Sequence, residues 1–285
     1  MLCAPDARVE VGQAAERDAP AAAMPQAACR LCGGALAPRF RLQVLRRHDV
    51  AYLECVRCAS LQTERPYWLD EAYAPGAAAL DVGALQRNLE NFAYCLTFAR
   101  LFGVRSAVDY GGGDGLLCRF LRDHGVDAYT WDKYAASSFA RGFERPSCRS
   151  PDLLTAFEVL EHLADPAAEL EPIFACQPRY LVCTTEPYAQ QGPEWWYLAP
   201  LGGQHVFFYS PQALVALGER FGYCVAQVGA KLVYVRNDLG EEAMRRLTLA
   251  KEVLSGWIFQ AIRGHVFTQP APGVTSDFAR VSRGS

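Results

Sequence analysis

The sequence predicts an α/β fold, strands alternating with helices, with a ligand site at the strand ends and a small cysteine-bound unit in front. Three observations carry this. A short apolar run, Ser106 to Tyr110, leads into Gly111-Gly112-Gly113-Asp114-Gly115, then into a stretch with Leu116, Leu117, Phe120 and Leu121 on one helical face. A second apolar run, Val126 to Trp131, ends in an acid, Asp132. Nearer the start, two C-x-x-C pairs, Cys29/Cys32 and Cys55/Cys58, are separated by 22 residues.

The turn needs glycine because it must take positive φ and let a ligand approach the backbone closely. The helix that follows presents unpaired N–H groups at its start. The pattern is D-x-G-G-G-x-G rather than G-x-G-x-x-G, with Asp109 on the strand itself. An acid there repels a pyrophosphate and suits a cationic ligand. Asp132 stands where a ribose-binding carboxylate is expected, roughly 20 residues further on. A third segment, Asp152-Leu153-Leu154-Thr155-Ala156-Phe157-Glu158-Val159-Leu160-Glu161-His162-Leu163-Ala164-Asp165-Pro166, follows in order.

Together these segments resemble the motifs of class I S-adenosylmethionine (SAM)-dependent methyltransferases, over roughly residues 92 to 236. The resemblance implies a Rossmann-like sheet, parallel with one antiparallel edge strand. It implies SAM as cofactor, with Asp109 toward its cationic methionine end, Gly111 and Gly113 allowing close approach, and Asp132 and Lys133 on the ribose side. Leu153 to Val159 becomes the fourth strand, with Glu158 at its C-terminal end beside the methionine part.

Each C-x-x-C closes a tight knuckle, and four thiolates from two knuckles make a closed tetrahedral site. Between them lie two strand-like runs, Phe40 to Leu45 and Val50 to Glu54. A zinc ribbon over residues 29–63 is the natural form. Its Zn²⁺ would be structural, holding a unit too small to bury a core of its own. An iron site with the same ligands and a redox dithiol are the alternatives. Such a module ahead of the main domain is similar to the arrangement in sugar methyltransferases, including those acting on nucleotide-linked deoxysugars. Those that methylate carbon typically carry a further C-terminal domain; here 45 residues follow residue 240.

Composition narrows the classes. A hydrophobic content of 51% and a mean hydropathy of −0.02 describe a globular chain. A net charge of −3 gives no basic field for nucleic acid, although Arg39, Arg41, Arg46, Arg47 and His48 form a local patch. No apolar run approaches the roughly 18 residues of a membrane span. Residues 1–28 carry charge where a signal peptide has its apolar core, and read as a disordered or partly helical leader. Of the 11 cysteines, Cys95, Cys118, Cys176, Cys183 and Cys224 sit singly in apolar stretches, which suits a reducing cytoplasm.

The remaining elements follow in order. Residues 64–91 form a connector with Arg65-Pro66-Tyr67-Trp68 and Tyr73-Ala74-Pro75-Gly76, either a lid over the site or a clasp between domains. A helical stripe, Asn88 to Phe102, leads into the first strand through Gly103, and the methyltransferase domain the resemblance implies spans 92–240. Tyr134 to Ser150 lacks the third strand the resemblance implies, leaving Glu144 as the candidate acid for the adenine amine. Asp165-Pro166 starts a helix running to Phe174. Tyr180 to Thr184 is the fifth strand. Trp195, Trp196 and Tyr197 then either stack on a ligand or plug the core. Gly202 to Pro211 resembles the family's Q-H-x-x-x-Y-S segment, with Ser210-Pro211 capping a helix. Val225 to Gly229 and Leu232 to Arg236 are the last strands. Residues 241–264 form a helix that covers the domain or joins a homo-oligomer interface.

The catalytic candidates are His205, His162 and Glu161. A histidine is well matched to taking a proton from a hydroxyl near neutral pH, so His205 is either the base or an orienting residue of its loop. His162 is either a base or a packing residue at its turn. The expected function is methyl transfer from SAM to a small-molecule or glycan acceptor, foremost a sugar hydroxyl. Sugar C-methylation and a non-catalytic binding module are the alternatives. The missing C-terminal domain favours oxygen over carbon.

Overall fold

The computed structural model describes residues 28–74, 83–144, 150–255, 257–266, 273, 276 and 277. The expected leader and most of the C-terminal tail therefore lie outside the described residues.

The chain begins with a hairpin, β1 (Leu36–Val44) and β2 (His48–Cys55), paired antiparallel from Val44↔His48 to Leu36↔Cys55. Phe40, Leu42 and Val44 turn inward while Arg39, Arg41 and Gln43 face out, the two-residue period of a half-buried strand. A third strand, β3 (Leu61–Thr63), pairs with β2. A short helix α1 (Leu69–Ala72) follows, then α2 (Ala84–Phe102), which ends at Gly103 in the left-handed conformation. α2 starts four residues before the expected stripe.

The main sheet comes next. It contains β4 (Ser106–Tyr110), α3 (Leu116–Asp123), β5 (Asp127–Trp131), β6 (Leu153–Ala156), α4 (Pro166–Glu169), α5 (Glu171–Ala175) and β7 (Tyr180–Cys183). After the loop come β8 (Phe207–Phe208), α6 (Pro211–Phe221), β9 (Tyr223–Val228), β10 (Lys231–Arg236), α7 (Gly240–Ser255) and α8 (Trp257–Val266). The strand order is β5-β4-β6-β7-β10-β9, with β5, β4, β6 and β7 parallel. The antiparallel edge is a hairpin: β10 runs against β7, and β9 closes the sheet outside it.

β6 and β7 are buried at every position, as central parallel strands covered on both faces are. On one face Phe92, Phe98 and Phe102 of α2 pack with Leu117, Leu121 and Leu247. On the other, Leu160, Ile173, Phe174, Leu214 and Leu217 pack under the cysteine knuckles.

Several boundaries differ from the sequence reading, each for a local reason. β6 stops at Ala156 rather than Val159, because Glu158 takes φ +54, outside strand space. The helix from Asp165 breaks into α4 and α5 at Pro172, whose ring excludes the i−4 carbonyl. The stretch 241–264 is likewise two helices. Among the described residues no third strand forms; Glu144 makes one bridge to Thr130. β8 does not join the main sheet at all. It pairs with β3, giving a second sheet of order β1-β2-β3-β8. The cysteine-bound unit and the main domain thus share a sheet.

Candidate active site

The glycine turn leaves β4 with Gly111 at φ +71, where an added Cβ would meet Val159 Cγ2 at 2.5 Å. Glycine thus serves two needs there, a positive φ and contact with the chain leaving β6. Asp109 lies beneath the turn and is 5% exposed. Thr155 Oγ1 donates to its Oδ1 at 2.7 Å. Burial pushes its carboxyl up to about 7; the Thr155 hydrogen bond opposes this and the charge of Asp132 adds to it.

Asp132 caps the neighbouring strand. Its Oδ2 accepts the Gly113 N–H at 2.9 Å, and its Oδ1 accepts those of Tyr134 and Ala135, both at 2.7 Å. A carboxylate has about four acceptor positions, so one remains for a hydroxyl. The bond to Gly113 ties the ends of β4 and β5 together. Beside it opens a cleft of about 700 Å³ lined by Gly113, Trp131, Asp132, Ser137, Arg141 and Glu144 among others. Lys133 stays outside this lining; its Nζ sits 5.1 Å over the Tyr134 ring.

Glu161, His162 and His205 meet at the same strand edge. One ligand-capable atom of each lies within 4.8 Å of the other two. Glu161 is fully buried, and neither carboxylate oxygen has a hydrogen-bond partner among the described residues. Burial, then the charge of Glu158, raises its carboxyl to about 8. His205 Nδ1 lies 2.7 Å from the Tyr197 carbonyl, which only accepts. The proton of the neutral ring therefore sits on Nδ1 and leaves the lone pair on Nε2. Burial lowers the pKa of His205; burial and His205 together lower that of His162 to about 3. Both rings are neutral at pH 7. His162 Nδ1 is 3.1 Å from the Tyr73 hydroxyl, and the Tyr73 ring stacks on Tyr134 at 6.2 Å. Tyr73 thus bridges the cleft side and the histidine side.

The loop carrying His205 is held from a distance. Trp68 Nε1 donates to Gly203 O, and Gln204 Nε2 to Ala72 O, each at 2.8 Å. Val206 N–H donates to the Glu161 carbonyl at 2.8 Å. The Val206 carbonyl accepts from Arg30 Nη2 at 2.6 Å and from the Thr63 N–H at 3.1 Å. Arg30 also donates to Ala164 O at 2.8 Å and to Thr63 O at 3.1 Å. Its guanidinium, pulled down to about 10 by burial, stays charged at neutral pH.

Arg30 sits in the first cysteine knuckle. Cys29 Sγ and Cys58 Sγ are 3.8 Å apart, and Cys32 Sγ and Cys55 Sγ 3.5 Å. Four sulfurs about 2.3 Å from a tetrahedral metal stand about 3.8 Å apart, so the four residues fit Zn²⁺. The N–H groups of Arg57 and Cys58 point at Cys55 Sγ at 3.4 Å, and would offset thiolate charge there with a metal bound.

The family description "Methyltransferase domain" matches residues 83–228, just over half of the chain. The protein belongs to this methyltransferase family. Solved structures similar to it include magnesium protoporphyrin IX methyltransferase from Synechocystis PCC 6803 with bound SAH, at 17% identity over 60% of this chain and 97% of that one, TM-score 0.43. An O-methyltransferase family protein from Burkholderia thailandensis shares 17% identity over 59% and 62%, TM-score 0.45. CalO1, a methyltransferase in calicheamicin biosynthesis, shares 14% over 59% and 60%, TM-score 0.41. No curated protein matches the sequence.

The chain is therefore a SAM-dependent methyltransferase. No described helix is long and apolar enough to cross a membrane. Of the residues singled out in the sequence, the methyltransferase fold brings Gly113 and Asp132 together on the cleft, and Glu161, His162 and His205 into one cluster. Glu158 Oε1 accepts from Thr184 Oγ1 at 2.8 Å, and its charge acts on Glu161 and His205. Asp109 lies below the turn rather than in the cleft lining. Sequence reasoning missed Arg30 and Thr155 as site residues; it placed Tyr73 in a connector read as lid or clasp, and Tyr197 in a loop read as stacking on a ligand or plugging the core. For Tyr73 the only signal was an aromatic in a Pro/Gly connector; for Arg30 there was none. Trp68 is a buried clasp, and Trp196 is 74% exposed beside buried Tyr197.

Proposed function

We propose that this methyltransferase transfers the methyl group of SAM to a hydroxyl of a small-molecule or glycan acceptor, foremost a saccharide or nucleotide sugar. The observation that carries the reading is the neutral His205 ring, its Nδ1–H fixed on the Tyr197 carbonyl and its Nε2 lone pair free at the strand edge. SAM supplies a methyl group on a sulfonium, open to in-line displacement.

The chain's own residues do the rest. Asp132 offers its remaining acceptor position to a ribose hydroxyl, with Gly113 leaving room for the nucleoside, Gly111 letting the turn pack on Val159, and Lys133 at the rim. Asp109 beneath the turn, with Glu158 across it, places negative potential where the cationic end would lie. His205 Nε2 takes the hydroxyl proton as the oxygen attacks, since a sugar hydroxyl is a poor nucleophile unaided. Tyr73 and His162 wall the acceptor side, and the exposed Trp196 gives a sugar a ring to stack on. Cys29, Cys32, Cys55 and Cys58 would hold Zn²⁺ as a structural cross-link, with no open position for chemistry. A cytoplasmic, reducing location suits single thiols such as Cys95, Cys118, Cys176, Cys183 and Cys224.

The test is His205→Asn, which keeps the Nδ1–H mimic and removes the lone pair. Turnover of labelled SAM with a panel of sugars and nucleotide sugars falls by about 10²–10⁴-fold, with SAM affinity by calorimetry unchanged. Undiminished turnover, or no turnover by the unaltered chain on any hydroxyl acceptor, overturns the reading.

A further inference from the structure

We infer that Glu161, His162 and His205 bind a divalent cation, which holds the acceptor through two neighbouring oxygens. The inference rests on the reading that the acceptor hydroxyl meets this cluster, and it changes one step of it: with a cation bound, His205 Nε2 would be a ligand rather than the base, and the cation would acidify the hydroxyl so that its proton leaves to water.

Glu161 is the decisive residue. Its carboxyl group has no exposure and no hydrogen bond of ordinary geometry on either oxygen, so it loses its hydration with only the nearby Tyr197 hydroxyl to offset the loss. Buried polar atoms without partners are rare, and an ion is among their few explanations. Two imidazoles stand around it, their ligand atoms and the carboxylate oxygen within 4.8 Å of one another. Ligands about 2.1 Å from one cation lie about 3.0 Å apart when adjacent, so modest side-chain rotations close the set.

The groups behind the two rings are those that metal-bound histidines commonly meet. A ligating imidazole commonly donates its other N–H to a carbonyl, which fixes the ring and raises its basicity. His205 Nδ1 has that partner in the Tyr197 carbonyl at 2.7 Å. His162 Nδ1 has the Tyr73 hydroxyl at 3.1 Å, and the ring also meets the Gln204 backbone, so a cation would take its place among these partners. The backbone fixes the spacing as well, since the Val206 N–H binds the Glu161 carbonyl one residue past His205.

Two histidines and one carboxylate occupy one face of an octahedron and leave the opposite positions open. Two open positions match the oxygens of a vicinal diol or an α-hydroxy acid, which close a five-membered chelate. The acceptor class thus narrows to molecules with adjacent oxygens, which includes saccharides. The nitrogen and oxygen donors also separate this site from the cysteine cluster. Thiolates favour zinc, whereas a mixed set with open positions accepts Mn²⁺.

The full chain, purified with one equivalent of zinc, is titrated with Mn²⁺ while the signal of the free ion is followed by electron paramagnetic resonance. One Mn²⁺ is taken up per chain, and binding weakens by about tenfold or more in both Glu161→Gln and His205→Asn. SAM affinity serves as the folding control, and His162→Asn replaces either variant that fails it. Adding a sugar diol broadens the bound Mn²⁺ signal, whereas the same sugar with one of the two hydroxyls replaced by hydrogen does not. No uptake at millimolar Mn²⁺, or equal uptake by the unaltered chain and both variants, overturns the inference. Full turnover after exhaustive chelation of the Mn²⁺ pool also overturns it, and leaves the hydroxyl methylation with His205 as direct base. Absence of turnover with Mn²⁺ uptake intact sinks the proposed reaction and leaves the cation site standing.

Discussion

The cleft beside Asp132 and the histidine cluster are built in opposite ways. The cleft comes from one stretch of chain, Ser106 to Glu144, and its acid is satisfied within that stretch: Asp132 accepts from Gly113, Tyr134 and Ala135. The cluster comes from Tyr73, Glu161-His162 and Tyr197-His205, and is held by Arg30 from the cysteine knuckle. Its acid, Glu161, is unsatisfied. A locally bonded site forms whenever its strand–turn–helix forms. A site assembled from distant segments exists only when the whole fold does. Damage to the cysteine unit is therefore expected to reach the cluster before it reaches the cleft.

The largest effect should follow Cys58→Ser, which removes one of the four proposed zinc ligands. Zinc content by atomic absorption falls below one per chain, and the melting temperature drops by about 10 °C or more. Turnover falls well before SAM affinity does; parallel losses would erase the distinction between the regions. Arg30→Met comes next. It strips a charged donor from the carbonyls of Ala164, Thr63 and Val206, and is expected to cost about 2–4 kcal/mol in denaturant unfolding. Its kcat should fall with SAM affinity held, because Val206 no longer fixes His205.

Asp132→Ala breaks the other side. It frees three N–H groups of the cleft and weakens SAM by one to two orders of magnitude, about 1.4–2.8 kcal/mol by calorimetric titration. Unchanged affinity would remove Asp132 from the nucleoside site.

The smallest effect is a pH dependence through Asp109. Asp132 faces it across the turn, and the Cys95 and Cys118 thiols near it are pushed up by burial and stay neutral. Its carboxyl titrates at about 7 in the fold and in the ordinary carboxylate range when unfolded. Between those values the fold holds a proton that the unfolded chain has released, so stability without ligand decreases as pH rises toward 7. A cationic ligand favours the ionised form, so SAM affinity rises over the same window. Asp109→Asn should flatten both profiles. A shallower rise for S-adenosylhomocysteine, which lacks the sulfonium charge, would sharpen the assignment.

By itself the sequence determined the elements whose signals are local. β4 runs Ser106–Tyr110 as its apolar pattern and glycine turn require. α4 starts at Asp165-Pro166, with the Asp165 side chain accepting from Ala168 N–H. Ser210 caps α6 through Ala213 N–H. The spacing of the two knuckles likewise brought four sulfurs to metal-binding distances. Only the tertiary structure decided the rest. Phe207–Phe208 reads as a strand, but its partner is β3, some 145 residues earlier. Nothing around Arg30 announces that its guanidinium reaches Ala164 and Val206, 134 and 176 positions away. Propensity, capping and turn chemistry act over a few residues and leave their mark in the order of the chain. Desolvation and long-range hydrogen bonding depend on which segments the core brings together, so the burial of Glu161 and the tautomer of His205 exist only in the folded molecule.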